Sequence, residues 1–198
     1  MNLIERVKNI LTTPKTEWEL INSESATPQS LFTGYVLPLA VVSAIGPVIS
    51  GLLFAGILGF KYFIITAVIG FISQIVAYYA TVIFADMFAT SFGSEKDINK
   101  SAQLVAFSYT PSIIAGVLFF IPVLGALISL AAWIYGIYIM YLGLEPLKKT
   151  LEDKKVVYLA IVYVILIALH FVIKVILGAI LFAALGVGLN SLSSISLF

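Results

Sequence analysis

His170 and Lys174 come closest to a chemical site among the residues of this chain. They are four positions apart in an apolar stretch that predicts a helix, so their side chains share one face, and Tyr163 falls within about 40° of it. A charge at the centre of a membrane helix costs about 2.5–3.5 kcal/mol on insertion scales, so such a lysine normally has a partner or a use. Three interpretations stay open. Lys174 snorkels to the headgroups beside a neutral His170 bonded to a hydroxyl, the pair makes a structural polar contact, or it relays a proton or substrate.

Asp86 is a second candidate, near the end of another long apolar stretch. Its position predicts a carboxylate at the membrane interface. Counting residues along the two predicted helices places Asp86 and Lys174 in opposite leaflets, so we expect no ion pair between them.

Pro111, with Tyr109 two positions before it, marks a third candidate. A proline inside a helix removes one intrahelical hydrogen bond, which here leaves the Phe107 carbonyl without its usual donor. Hydroxyl side chains often repair such defects in membrane helices, and we expect the neighbouring ones to do so here. They belong to Ser108, Thr110 and Ser112.

The same residue types argue against catalysis. Ser108 stands between Phe107 and Tyr109, not in the Gly-x-Ser setting of a serine nucleophile, and His170 is the only histidine that could act as its base. The chain has no cysteine, no HExxH pair, no phosphate-cradling glycine loop and no paired carboxylates in its apolar stretches. We therefore predict no enzyme activity, no catalytic residue, no metal site and no cofactor.

The composition predicts an integral membrane protein. The chain of 198 residues is 61% apolar and 11% charged, against about 45–50% and 25% in soluble domains. Its net charge is +1 and its 11 lysines and arginines are scattered, whereas nucleic-acid binding needs a basic patch. The lipid bilayer is therefore the first partner that the sequence indicates, and nucleic acid is excluded.

The stretch 101–144 must position several of these candidates. Its 44 residues carry no formal charge. As one helix it would run about 65 Å, twice the roughly 30 Å hydrocarbon core of a bilayer. We expect it to fold back near Pro122 and Gly125, because proline lacks the N–H of a helix interior and glycine frees the backbone. The prediction is a hairpin of spans 102–120 and 122–144.

Three further apolar stretches complete an all-α, polytopic transmembrane bundle of five helices. They cover about 35–58, 62–87 and 156–185. The last stretch is longer than a bilayer requires, so residues 178–198 either complete span five by tilting or kinking near Gly178, or form an interfacial segment. Residues 1–30 are predicted as an N-terminal cytoplasmic amphipathic segment, and residues 31–198 as the transmembrane domain.

Residues 2–12 have the pattern of an amphipathic helix. At 100° per residue the apolar side chains lie within an arc of about 120°, with Arg6 and Lys8 at its two margins. The apolar members are Leu3, Ile4, Val7, Ile10 and Leu11. This pattern favours an interfacial helix, whose basic side chains reach the headgroups, over a helix that packs on a soluble partner.

The lysines and arginines also predict the orientation of the spans. Nine of them fall on one side of the five spans and only Lys61 on the other. By the positive-inside rule, the N-terminus and the loops 92–100 and 145–155 are cytoplasmic, and the C-terminus lies outside.

Short motifs along the chain carry a family resemblance. Those in the charge-free stretch are Ser108-Tyr109-Thr110-Pro111, Phe120-Ile121-Pro122-Val123-Leu124-Gly125, Ile134-Tyr135-Gly136-Ile137-Tyr138 and Tyr141-Leu142-Gly143-Leu144. Upstream are Pro14, Trp18, Ile21 and Glu24, followed by Gly34-Tyr35-Val36-Leu37-Pro38-Leu39-Ala40. These motifs resemble the Yip family of five-span membrane proteins, and the upstream ones are similar to the entry segment of its prokaryotic members.

The resemblance implies a multi-pass protein of the bacterial cytoplasmic (inner) membrane. Eukaryotic Yip proteins are trafficking proteins that contact Rab-type GTPases, and they carry an Asp-Leu-Tyr-Gly-Pro-like motif before the first span. That motif is absent here, so the trafficking role is not implied.

We predict a non-catalytic organising or adaptor protein that recruits a partner or shapes lipid. Its protein partner would be a second copy of the chain or another membrane protein. The alternative is a small transporter or channel that uses the proline-broken helices and the pair of His170 and Lys174. The sequence names no small-molecule substrate.

Overall fold

The computed structural model describes residues 2–58, 60–121 and 123–185, and these residues are 90% helical without a strand. Five helical segments are long and apolar enough to cross a membrane, with mean hydropathies from 1.5 to 2.8. The predicted all-α, five-span architecture is confirmed. Two short helices precede the spans, α1 (Leu3–Thr12) and α2 (Pro14–Ser23).

Span one is assembled from several short helices. They are Pro28–Leu31, a π-helical turn at Phe32–Val36, Leu37–Ser43 and Ile45–Leu58. The helix that leads into the span starts at Pro28, because the Thr27 side chain accepts the Ser30 N–H and Pro28 occupies the first helical position. It breaks at Ala44, because the ring of Pro47 clashes with the carbonyl four residues before it.

Spans two, four and five are each built on one long helix. These are Phe60–Phe88, which continues into a 3₁₀ turn at Ala89–Phe92, then Leu124–Lys148 and Glu152–Leu185. Span five continues past Gly178 as far as Leu185, so residues 178–185 belong to it. The rest of the predicted segment 178–198 lies outside the described residues.

Span three ends in the predicted reversal. It comprises Ile98–Ser108, Thr110–Gly116 and a 3₁₀ turn at Val117–Phe120. The chain reverses between Ile121 (φ −98°, ψ 104°) and Val123 (φ 53°). Gly125 packs so closely on this turn that an added Cβ would lie 2.3 Å from the Leu118 carbonyl oxygen. The position of the fold-back is confirmed, whereas Pro122 itself lies outside the described residues.

Helices α1 and α2 form a hairpin that packs against spans three and four. Trp18 and Ile21 are fully buried there. The Trp18 indole N–H donates to the Ile139 carbonyl at 3.0 Å, and the Tyr135 hydroxyl donates to the Leu11 carbonyl at 2.8 Å. The N-terminal segment is therefore tied to the bundle by hydrogen bonds as well as by apolar packing.

The predicted position of Arg6 at the headgroups is wrong. Arg6 is 5% exposed, and its guanidinium donates to Glu17 at 2.6 Å and to Glu24 at 2.5 Å. Reasoning on α1 alone could not show this, because both carboxylates come from residues beyond α1. They neutralise the arginine inside the structure, so its charge does not need the headgroups.

Span three lies at the centre of the bundle. In its most apolar stretch of 18 residues, 56% is buried, against 28–39% of the corresponding stretches in the other four spans. Every residue from Ser101 to Ser108 is buried. The large side chains around it are those of Trp18, Tyr78, Met140, Leu144 and Tyr158. By contrast, the outer faces of spans four and five expose large apolar side chains such as Leu130 and Val164, as contact with lipid requires.

Candidate functional site

A cavity of about 530 Å³ lies among spans two, three, four and five. Three of the predicted site residues, Tyr109, His170 and Lys174, line it together, whereas Asp86 lies elsewhere. The polar side chains on its wall are those of Gln74, Ser108, Tyr109, Ser112, Tyr163, His170 and Lys174. Aromatic side chains, including Trp133 and Phe171, line other parts of the wall. We call this space the intramembrane cavity.

Pro111 accounts for the break in span three beside this cavity. One helix ends at Ser108 and the next begins at Thr110, because Pro111 has no N–H to continue the ladder. Tyr109 occupies the break, with its hydroxyl 2.6 Å from the Thr81 hydroxyl of span two. The break therefore fixes Tyr109 between spans two and three on the cavity wall.

The predicted local repair by hydroxyls is wrong for two of the three residues. Thr110 bonds instead to the hydroxyl of Tyr35 in span one, at 2.8 Å. Ser108 is 1% exposed, and its Oγ makes no hydrogen bond to any residue that the structure describes. Both hydroxyls are at the contacts of span three with other helices, which sequence spacing alone does not reveal. Ser112 lines the cavity.

His170 and Lys174 lie one turn apart on span five and both face the cavity. The Nδ1 atom of His170 lies 3.1 Å from the Leu166 carbonyl of its own helix. The hydroxyl partner of the snorkelling interpretation is not found among the described residues. Lys174 is exposed, and the ion pairs of the described residues do not include it.

Asp86, which the sequence predicts to lie at the interface, is buried in an ion pair. It is 7% exposed and lies 3.2 Å from the ammonium of Lys148, which is fully buried. The same ammonium donates to Ser101 at 2.6 Å. The sequence did not predict this pair, because span four continues through Pro146 to Lys148, beyond the predicted end, and brings the ammonium to the carboxylate.

The loops near Asp86 are joined to each other. The Glu95 N–H donates to the Lys148 carbonyl at 2.7 Å, and the hydroxyls of Ser94 and Thr150 lie 2.8 Å apart. Beside these bonds Leu151 is 59% exposed. We call the α1–α2 hairpin and the loops 93–97 and 149–151 together the polar end of the bundle.

Sequence reasoning missed the cluster of Arg6, Glu17 and Glu24. A signal for it was present in α2 and the residue after its end. The spacings of four and three residues between Glu17, Ile21 and Glu24 are those of residues on one helical face. Trp18, next to Glu17 in sequence, is buried. A face that carries both carboxylates and buried apolar groups predicts a cationic partner in the protein.

A family model described as the Yip1 domain matches residues 8–176. The match extends from α1 into span five, and it covers most of the chain. The chain belongs to the Yip family. The match includes all six residues that the sequence singled out, which are Asp86, Tyr109, Pro111, Pro122, His170 and Lys174.

Membership of the Yip family and the five apolar spans together identify an integral, multi-pass membrane protein. Searches of curated proteins and of solved structures gave no match to this Yip-family chain. Within residues 2–58, 60–121 and 123–185, no three side chains of the ligand types His, Asp or Glu lie together as a metal site would need.

Proposed function

We propose that this Yip-family protein is a non-catalytic adaptor of the bacterial cytoplasmic membrane, and that its polar end recruits a cytoplasmic partner. The orientation rests on charge. Nine lysines and arginines belong to the polar end or flank it, in α1, α2 and the two loops with the helix ends beside them, whereas Lys61 lies at the opposite end. The positive-inside rule assigns the side with this excess to the cytoplasm.

The observation that carries the proposal is the fixed structure of the polar end. A buried ion pair holds the hairpin and hydrogen bonds join the two loops, so the surface that they present is formed before any partner binds. Leu151 projects from that surface among charged side chains, and Lys149 beside it is paired with Glu95 at 2.6 Å. An apolar anchor within a charged rim is the composition expected of a protein-binding surface.

A photo-crosslinking phenylalanine at position 151 tests the proposal in living cells. Val123 is the matched control, because it is also an exposed apolar loop residue, 77% exposed, but lies at the opposite end of the bundle. We expect position 151 to crosslink reproducibly to one cytoplasmic protein and position 123 not to. In Leu151→Asp cells that protein should no longer copurify with the chain. Crosslinks to lipid alone at both positions would contradict recruitment.

A second candidate function is transport by a small carrier or channel. It is favoured by the intramembrane cavity beside the break in span three, since broken helices and ionisable side chains mark transport pathways. Purified protein in liposomes tests this function. Proton or solute flux that is lost in His170→Ala or Lys174→Ala would support transport. The absence of flux in liposomes that contain the parent protein would contradict it.

A further inference from the structure

The intramembrane cavity opens towards the side of the bundle. Two of its lining residues, Ile167 and Phe171, are 51% and 70% exposed on the outer face of span five. In a five-span membrane protein, exposed apolar side chains at the middle of a span contact lipid. The cavity is therefore accessible to a molecule that arrives from within the bilayer.

The size and lining of the cavity match those of a ligand site. Its volume of about 530 Å³ lies within the roughly 300–1,000 Å³ of small-molecule pockets, which are mostly apolar with a few polar groups that fix orientation. Trp133, Ile113, Leu166 and Phe171 supply much of the apolar wall. The polar groups come from spans two, three and five.

Two of these polar groups lack partners. The Ser108 Oγ, in a residue that is 1% exposed, and the Gln74 Oε1 make no hydrogen bond to the residues that the structure describes. The Gln74 amide nitrogen is engaged with the Ser43 hydroxyl at 3.2 Å, which leaves its oxygen as an acceptor. An unsatisfied buried polar group is unfavourable, so a ligand that supplies both a donor and an acceptor would be stabilised there.

The charge on the cavity wall is positive. Lys174 supplies an ammonium, and no aspartate or glutamate is among the described residues that line the cavity. When the Nδ1 of a neutral His170 donates to the Leu166 carbonyl, its Nε2 is left as an acceptor. Together, Lys174, Ser108, Gln74 and His170 therefore offer one cation, one hydroxyl donor and two acceptors.

We propose that the intramembrane cavity binds an anionic phospholipid whose headgroup carries hydroxyls. Its phosphate pairs with Lys174, its headgroup hydroxyls donate to Gln74 and His170, and an ester oxygen accepts from Ser108. The acyl chains leave through the side opening past Ile167. This site is separate from the polar end, so it does not depend on the recruitment of a cytoplasmic partner.

Fluorescence quenching by brominated lipid tests the site, because Trp133 lies on its wall. The full chain is reconstituted in phosphatidylcholine nanodiscs that contain a small fraction of phosphatidylglycerol, and either lipid carries bromine on its acyl chains. We expect brominated phosphatidylglycerol to quench about tenfold more strongly per molecule, a preference of about 1.4 kcal/mol. Trp133→Phe should remove this difference, because Trp18 is buried against span four.

Two pairs of variants connect the preference to the cavity. Ser108→Ala should weaken it, whereas Ser73→Ala should not, since the Ser73 hydroxyl also lacks a partner among the described residues but does not line the cavity. Neither variant removes an existing hydrogen bond, so both should fold as the parent does. Lys174→Gln should abolish the preference and Lys174→Arg should retain it.

Equal quenching by the two lipids in the parent protein would overturn the proposal. So would a preference that survives both Ser108→Ala and Lys174→Gln. Glycerol 3-phosphate added to the buffer should not reverse the quenching, because the site recognises a headgroup held in the bilayer. Reversal at millimolar concentration would instead assign the site to a soluble phosphate.

Discussion

Replacing Arg6 by alanine would test whether the N-terminal hairpin is docked on the bundle. The side chains of Arg6 and Glu17 are 6% and 2% exposed, and their nearest nitrogen and oxygen lie 2.6 Å apart. The guanidinium also lies 5.2 Å from the centre of the Phe107 ring. Arg6→Ala therefore leaves the Glu17 carboxylate buried without its cation.

The expected loss in the free energy of unfolding is about 3–5 kcal/mol, the usual effect of removing one member of a buried ion pair. Most of this loss comes from the Glu17 carboxylate, which stays buried without its cation. The second bond of Arg6 contributes less, because the Glu24 side chain is 44% exposed and its charge is screened by solvent. The lost contact with the Phe107 ring adds to the effect.

The measurement is reversible unfolding in mixed micelles, with tryptophan fluorescence as the signal. Trp18 is a local reporter, because α2 carries it next to Glu17. Lys8→Ala is the control, since Lys8 is an exposed cation on the same helix, and it should change the free energy by less than about 1 kcal/mol. Arg6→Met combined with Glu17→Leu should recover most of the stability, because apolar groups can replace a buried pair.

A loss for Arg6→Ala as small as that for Lys8→Ala would refute the reasoning. It would mean that α1 leaves the bundle at little cost and that Arg6 and Glu17 reach water. The double substitution would then give no recovery, because there would be no buried charge to remove.

Three substitutions elsewhere, two of them paired with a control substitution, are expected to have the following effects on unfolding in the same micelles. Lys148→Met should lower the free energy of unfolding by about 3–5 kcal/mol, because its carboxylate partner stays buried, whereas exposed Lys149→Met should change it by less than about 1 kcal/mol. Gly143→Ala should lower it by about 1–3 kcal/mol, since the added Cβ would lie 2.7 Å from side-chain atoms of span three and α2. Gly34→Ala, with no atom within 4 Å, should be neutral or stabilising. Val123→Gly should raise the melting temperature, because a β-branched residue at φ 53° is strained.

The five spans and the reversal near residue 122 could be predicted because the bilayer imposes simple requirements on sequence. A span needs a long apolar run, and a run twice that length must turn. The end of span four was less accurate. Its helix continues beyond the apolar run, through Pro146 to Lys148. The apolar pattern does not mark such ends.

The ion pairs could not be predicted, because they depend on which helix faces meet. Lys148 and Asp86 are 62 residues apart in sequence, and an amphipathic pattern like that of α1 occurs both in helices on lipid and in helices on protein. The cavity was predictable in part. His170 and Lys174 were recognisable as polar residues on an apolar helix, whereas Gln74 and Ser108 join them only through the packing of spans two and three.

Labelling of single cysteines in intact cells tests most directly that the polar end faces the cytoplasm. The chain has no native cysteine, and Leu151 and Val123 are exposed apolar loop residues at opposite ends of the bundle. With a membrane-impermeant thiol reagent, Val123→Cys should be labelled in intact cells, and Leu151→Cys only after the membrane is permeabilised. Labelling of Leu151→Cys in intact cells, with Val123→Cys protected, would place the polar end outside and contradict recruitment of a cytoplasmic partner.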